Sequence, residues 1–301
     1  MSVRDILLAL VVMAVWGVNF VAIKIGVEGF PPLFLTAARF FFTALPAAFF
    51  IKRPNAPWSL IAGFGLLLGV VKFGLVFSAV KYGMPAGLTS LVMQLQVFFT
   101  LGLAFLAFRE RPRLMQIAGA AIAFAGIGVF IAERTQSAAP LIPFLMVVGA
   151  AFTWGCANMV IKRAGKVDTL AFLVWSSLFS PLPLLALSLW VEGPAAIQAS
   201  LSPPRLDSVL ALAFIVGPST LFAFAAWNAL LARYPTSVVA PFALLVPVFG
   251  LLSGALLLGE PFTALAMLGG GVVFAGLLVN VFGDRLLNGV ESRRTIRGEI
   301  A

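Results

Sequence analysis

WGVNFVAIK at 16–24 and WGCANMVIK at 154–162 are one pattern written twice. Each has Trp-Gly, an Asn three or four residues after the Trp, and a Lys eight after it. The offset between them is 138 residues, from Trp16 to Trp154. A second echo follows: FAG at 124–126 returns at 274–276 and Glu110 returns as Glu260, now with an offset of 150. The twelve extra residues enter between the echoes, and the stretch around 192–207 has room for them. A chain that repeats itself at this scale is one structural unit duplicated.

Composition says what solvent the unit lives in. Hydrophobic residues make up 61% of the chain and charged residues 10%, whereas soluble domains are about half apolar and about a quarter charged. No water-soluble core hides that much apolar surface, so the chain reads as an integral membrane protein. The net charge of +9 does not point to nucleic acid, because the basic residues come singly or in twos and threes between apolar runs, with no basic helix face. Cys156 is the single cysteine and histidine is absent. That removes an intrachain disulfide, the easiest proton carrier and the commonest metal ligand. The first apolar run continues through Trp16 and Asn19 without a small-residue cleavage site, so it reads as a retained helix rather than a signal peptide.

A membrane helix needs about 20 mostly apolar residues. Candidates lie at 6–25, 33–51, 58–80, 85–107, 114–132, 141–161, 170–191, 209–231, 238–258 and 262–282. Breakers separate them, among them Pro31-Pro32, Pro54, Pro57, Gly83, Pro112, Pro140, Gly165, Pro203-Pro204, Pro235 and Pro261. Lys and Arg fall fourteen to three on alternate sides, with Lys81, Arg134 and Arg205 forming the poor side. The positive-inside rule then puts both termini in the cytoplasm. Five spans per repeat is odd, so the halves enter the membrane in opposite orientations. The expected architecture is an all-α membrane protein of ten helices in two inverted five-helix repeats. Residues 1–136 form the first repeat, 137–284 the second and 285–301 a basic cytoplasmic tail. Secondary transporters are often built this way, with the substrate near the midplane between the repeats.

WGVNFVAIKIG, PPLFLTAARFFF, YGMPAGLTSLVMQLQVFFT and PTSVVAPFALLVPVFGLLSGALLLGE together resemble the EamA family of the drug/metabolite transporter superfamily. The likeness covers nearly all of 5–283 and is greatest to bacterial inner-membrane amino-acid exporters of the cysteine/O-acetylserine type, with aromatic amino-acid exporters as further relatives. It implies ten helices, a central cavity and efflux from the cytoplasm. Family repeats often follow the Glu with a basic residue. Arg111 fits and Pro261 does not, so Glu260 is assigned no ion-pair role.

All eleven acidic residues fall in loops, tails or span ends, whereas ion-driven transporters usually hold a carboxylate in the membrane. Uncoupled transport or exchange is therefore expected. Cations within spans cost roughly 2.5–3.5 kcal/mol each and need a reason. Lys72 either binds a substrate carboxylate, accepts a proton, or steadies a helix through backbone carbonyls. Arg39 either holds a carboxylate bidentately or packs on a neighbouring helix end. Lys24, at a span end, snorkels. Asn19 and Asn158 occupy equivalent places in the two repeats, flanking a cavity or joining helices. Gln94 and Gln96 lie two apart on one helix, so at most one faces the cavity. Asn228 and Trp227 complete the polar candidates.

Trp16, Trp154 and Trp175 offer walls for a substrate side chain or ordinary packing, and Tyr82 is a gate or an interfacial anchor. Gly65 with Gly69, and Gly250 with Gly254, suit close helix approach. Pro181, Pro183, Pro218, Pro241 and Pro247 interrupt spans, with Pro241 and Pro247 the expected hinges.

The expected partners are the bilayer and a small-molecule substrate, with no nucleic acid, no cofactor and no metal. An intramembrane enzyme would want paired acids, a His cluster or an activated nucleophile in the spans. An ATP-driven pump would want GxxxxGK[ST], and neither signature is present. A channel is a third reading, but the inverted repeat favours alternating access. A broad drug exporter would want an acid to attract cations, whereas the intramembrane charges here are positive. The expectation is therefore a secondary transporter exporting carboxylate-bearing solutes such as amino acids.

Overall fold

The structure is a computed structural model that describes residues 1–133, 141–165, 167–260 and 264–298. Arg134, Pro140 and Pro261, used above as an anchor and breakers, lie outside the described residues, as do Lys166 and Glu299 from the counts of basic and acidic residues. Twelve helices organise the rest: α1 Val3–Gly29, α2 Pro32–Ala48, α3 Trp58–Lys81, α4 Ala86–Phe108, α5 Leu114–Glu133, α6 Leu141–Ala164, α7 Thr169–Ser177, α8 Pro181–Val191, α9 Pro194–Ser200, α10 Leu206–Arg233, α11 Ala240–Leu258 and α12 Ala264–Gly298. Among the described residues six of these (α1, α3, α4, α6, α10 and α11) are long and apolar enough to cross a membrane. The α7–α8 pair does so with a 42° bend, and Pro32–Ala48, Leu114–Gly126 and Met267–Gly283 are shorter apolar helices.

The local reasons are legible. Prolines open α2, α8 and α9, where a missing amide hydrogen costs nothing. Asp168 caps α7 by accepting from the amides of Leu170 and Ala171 at 2.9 and 3.0 Å. The bend between α7 and α8 falls at Pro181, one of the span-breaking prolines, whereas Pro247 lies inside α11 and Pro241 in its tight 3₁₀ first turn. α12 runs on past the 262–282 candidate as far as Gly298. Large apolar side chains such as Leu106, Leu182, Trp190 and Leu256 are exposed on the helices, as lipid-facing positions are.

The described chain divides into two compact units, Met1–Ala104 with Ala138–Pro261, and Phe105–Ser137 with Phe262–Ala301. In the smaller unit α5 packs on α12, and the repeated FAG explains how. An added Cβ at Gly126 would sit 2.8 Å from the Gly269 carbonyl, and one at Gly276 would meet the Gly119 carbonyl and Ala123. Only hydrogen fits there, so the backbones approach closely.

In the larger unit α1 packs along α11, α10 and α4. Here the repeated Trp-Gly has the same use. A Cβ at Gly17 would lie 2.5 Å from Cβ of Phe249 on α11, and one at Gly155 would lie 3.2 Å from Phe99 and Thr100 on α4. Gly250 faces Ser90 and Gly17, while Gly65 and Gly69 face Ser176 and Ser180 at the α7–α8 bend.

Candidate functional site

Two helices of the larger unit widen midway into π-helix. In α3 the wide segment is Leu66–Phe73, and in α10 it is Ile215–Phe222. Such turns are uncommon and cluster at functional sites. In α10 the widening includes Pro218, whose ring leaves no amide to continue the α-helical ladder. In α3 it carries Lys72 at its end.

Lys72 and Arg39 are both buried, 5% and 4% exposed, and they share one aromatic ring. Lys72 Nζ lies 3.2 Å from the centroid of Phe73 and 4.3 Å from that of Trp154. Arg39 Cζ lies 3.8 Å from the Phe73 centroid, with Phe40 and Phe77 at 5.5 and 5.8 Å. The two cations are thus no more than about 7 Å apart, a spacing at which like charges in a weakly polar interior repel by a few kcal/mol. The electron-rich faces of the rings offset part of that.

Arg39 Nη2 donates to Thr220 Oγ1 at 3.3 Å, and Thr220 donates in turn to the Ile215 carbonyl at 2.7 Å. Nε and Nη1 of Arg39 are buried and have no acceptor among the described residues. Among the described residues neither cation has a carboxylate partner. Buried guanidinium nitrogens without acceptors are costly, and a planar carboxylate is the group whose geometry matches two of them at once.

The other candidates divide around this pair. Trp154 stands over Lys72. Trp16 donates its indole N–H to the Ser219 carbonyl at 3.0 Å, next to the Thr220 that holds Arg39. It packs edge-on against Phe224 and Trp227. Asn158 Nδ2 donates to Gln96 Oε1 at 3.0 Å and to Thr100 Oγ1 at 2.9 Å. Its counterpart Asn19 is 7% exposed, with Oδ1 buried and unpartnered, and Asn228 has its Nδ2 in the same condition. Gln94 is buried and reaches the Ala243 carbonyl at 3.4 Å, in the 3₁₀ turn that holds Pro241.

Two candidates lie apart from the cations. Trp175 donates to the Ile51 carbonyl at 3.0 Å and stacks edge-on with Trp58, itself under Arg53 at 4.2 Å. Tyr82 is 57% exposed and, with Lys81, Glu192, Pro31 and Pro32, lines a cavity of 460 Å³ at the end of the larger unit where α1 hands over to α2.

That end also holds two carboxylates in working positions that composition and spacing did not reveal. Glu192 accepts from the amides of Leu33 and Phe34 at 2.7 and 3.2 Å, at the start of α2, and from Ser188 Oγ at 2.5 Å. Glu260 accepts from the amides of Ala86 and Gly87 at 2.6 and 2.9 Å, at the start of α4. The first amides of a helix have no partner within it and carry its positive dipole end, so a carboxylate suits them. The available signals were the repeated Glu and the prolines, Pro32 and Pro85, placed just ahead of each amide pair.

Known proteins resemble this chain over most of its length. The model of the EamA-like transporter family matches residues 4–132 and 141–282. A "Probable amino-acid metabolite efflux pump" of Salmonella typhimurium is 42% identical over 302 residues, covering 99% of each chain. One of the same name from Escherichia coli K12 is 40% identical, covering 95% of this chain and 97% of its own. The "Uncharacterized inner membrane transporter YedA" of Escherichia coli K12 is 28% identical over 89% of this chain and 87% of its own. A crystal structure matches in fold with a TM-score of 0.62 at 20% identity, covering 94% of this chain and 98% of that one.

Proposed function

Because the chain belongs to the EamA-like transporter family and is a multi-pass membrane protein, we propose that it exports amino acids and related small carboxylate-bearing metabolites from the cytoplasm. It works by alternating access between two inverted five-helix repeats, 1–136 and 137–284, with both termini and the 285–301 tail in the cytoplasm. Six long helices, one bent pair and three shorter apolar helices support a count of ten spans. The two family matches and the paired wide turns at 66–73 and 215–222 support the duplication. The contacts are also compatible with the assigned sides. Regions placed outside, such as 25–34 with 192–208 and 86–87 with 260, meet one another, and so do Asp5 and Arg233, placed inside.

The observation that carries the substrate class is the Arg39–Phe73–Lys72 arrangement, two buried cations on one ring with no acid beside them among the described residues. The substrate carboxylate bridges them, Trp154 and Trp16 wall the side chain, and Asn19, with an unpartnered oxygen, receives the ammonium. Gln96, Asn158, Trp227 and Asn228 complete the lining, Gln94 turns instead to the Ala243 carbonyl, and Trp175 and Tyr82 stand towards the inner and outer mouths. The names of the two most similar relatives reported above point to the same cargo. The acids sit at helix ends, which supports a facilitator that equilibrates its cargo.

The test is release of labelled amino acids from liposomes containing only the purified protein, with and without a pH gradient. Release that runs to equilibrium and ignores the gradient is expected. Gradient-driven accumulation overturns the facilitator, and a panel without any amino-acid flux overturns the substrate class.

A further inference from the structure

The two helix starts held by Glu192 and Glu260 belong to helices that carry candidate site groups. α2 bears Arg39, and α4 bears Gln94 and Gln96. Both carboxylates come from the second half of the chain and both close on the first half. Each is aimed by a local device. Gly193, next to Glu192, has φ +83°, and Gly259, next to Glu260, has φ +64°, a conformation that glycine takes without strain. The amides of Gly259 and Glu260 close on the carbonyls of Ala255 and Gly254, which turns the Glu260 side chain back towards α4.

Room is kept for that side chain. A Cβ on Gly254 would lie 2.5 Å from Glu260 Oε2, and one on Gly87 would lie 3.3 Å from it. A carboxylate seated in a glycine-lined slot on two amides is built to hold a helix end, and nothing in the carriage of cargo otherwise requires it there.

We infer that Glu192 and Glu260 are the outer-gate residues of the transport cycle, positioning residues that hold the outer ends of α2 and α4 shut and release them when the site opens outward. Transport gates are a few groups at element ends whose contacts exist in only one of two states. Here the contacts are charge-assisted hydrogen bonds to amide pairs, strong enough to matter and few enough to break. Glu192 also borders the 460 Å³ outer cavity, so its clasp faces the space into which cargo would leave. This inference rests on the exporter reading for its outer side and its cycle, but its labelling test needs no substrate.

Met84 is 1% exposed, two residues before Ala86. A Met84→Cys probe in a Cys156→Ser background is labelled with a membrane-impermeant maleimide in right-side-out vesicles. Labelling is expected to be slow with Glu260 intact and at least fivefold faster with Glu260→Gln, which keeps the shape and removes the charge. Gly254→Ala, which crowds the carboxylate without removing it, is expected to act in the same direction. In release assays Glu260→Gln changes kcat more than KM, because the residue does not touch cargo, and Glu260→Asp restores part of the wild-type value.

Unchanged labelling in both folded variants overturns the gate, as does labelling confined to inverted vesicles. If neither Glu260→Gln nor Gly254→Ala yields folded protein, Glu192→Gln read through Phe30→Cys applies the same criterion to the other clasp, since Phe30 is 5% exposed. Faster labelling together with an absence of amino-acid flux keeps the gate and overturns the cargo instead.

Discussion

LLLGVVKF at 66–73 and IVGPSTLF at 215–222 are the same wide turn in the two halves of the molecule, yet they have divided the chemistry between them. Aligned end to end, Gly69 stands opposite Pro218, Val70 and Val71 opposite Ser219 and Thr220, Lys72 opposite Leu221, and Phe73 opposite Phe222. The first copy supplies the cation and the ring that carries it. The second supplies acceptors: the Ser219 carbonyl for Trp16 and the Thr220 hydroxyl for Arg39. Phe73 is shared by two cations, whereas Phe222 is 45% exposed. Duplication therefore kept the wide turn in both halves, while the buried cations stayed with one half. A carrier with alternating access needs symmetric motion. It does not need a symmetric site.

The division can be broken at its strongest point first. Lys72→Met should lower release of carboxylate-bearing cargo by about tenfold to a hundredfold, the worth of a charge-assisted hydrogen bond. Thermal stability in detergent should hold or rise, since a buried cation is removed. Loss of stability together with flux would mean that Lys72 only braces α3.

Gly69→Ala comes next. Its methyl would collide with Ser180, whose hydroxyl donates to the Gly65 carbonyl. Melting should reveal a loss of about 1–3 kcal/mol. An unchanged melting curve would show that the wide turn in α3 has slack that the packing does not reveal.

Arg39→Lys keeps the charge but loses the planar fork, so KM should rise about tenfold with kcat nearly unchanged. An equal fall in kcat would place Arg39 in the motion rather than in binding. Thr220→Val is the mildest change. It removes the hydroxyl that accepts from Arg39, and about a twofold to fivefold change in KM is expected from a hydrogen bond of ordinary worth.

Much of the fold could be read in advance because hydropathy and glycine spacing act locally. The apolar runs, the doubled Trp-Gly and the doubled FAG were visible, and Gly17, Gly155, Gly126 and Gly276 sit at close helix crossings. Lys72 and Arg39 stood out because a cation in an apolar run is costly wherever it points. What stayed hidden depends on partners far away in sequence. Asn19 and Asn158 look alike in the repeats, but Asn158 finds Gln96 and Thr100 while the Asn19 oxygen has no partner among the described residues.

The wide turn of α3 leaves no trace in composition, since a π segment is a shift of backbone hydrogen bonds, whereas that of α10 is marked by Pro218. Glu192 and Glu260 were counted among acids at span ends, yet they reach helix starts far earlier in the chain. That Pro181 marks the bend while Pro247 lies within a continuous helix reflects what packs around each proline, which spacing does not encode.

The central claim is that the paired cations on Phe73 bind the carboxylate of the cargo. The most direct measurement is release, from liposomes containing only this protein, of one amino acid beside the amine left by its decarboxylation, which has the same side chain. The account predicts that the amino acid leaves and the amine stays, and that Lys72→Met removes the difference. Equal release of both by the unaltered protein would contradict it.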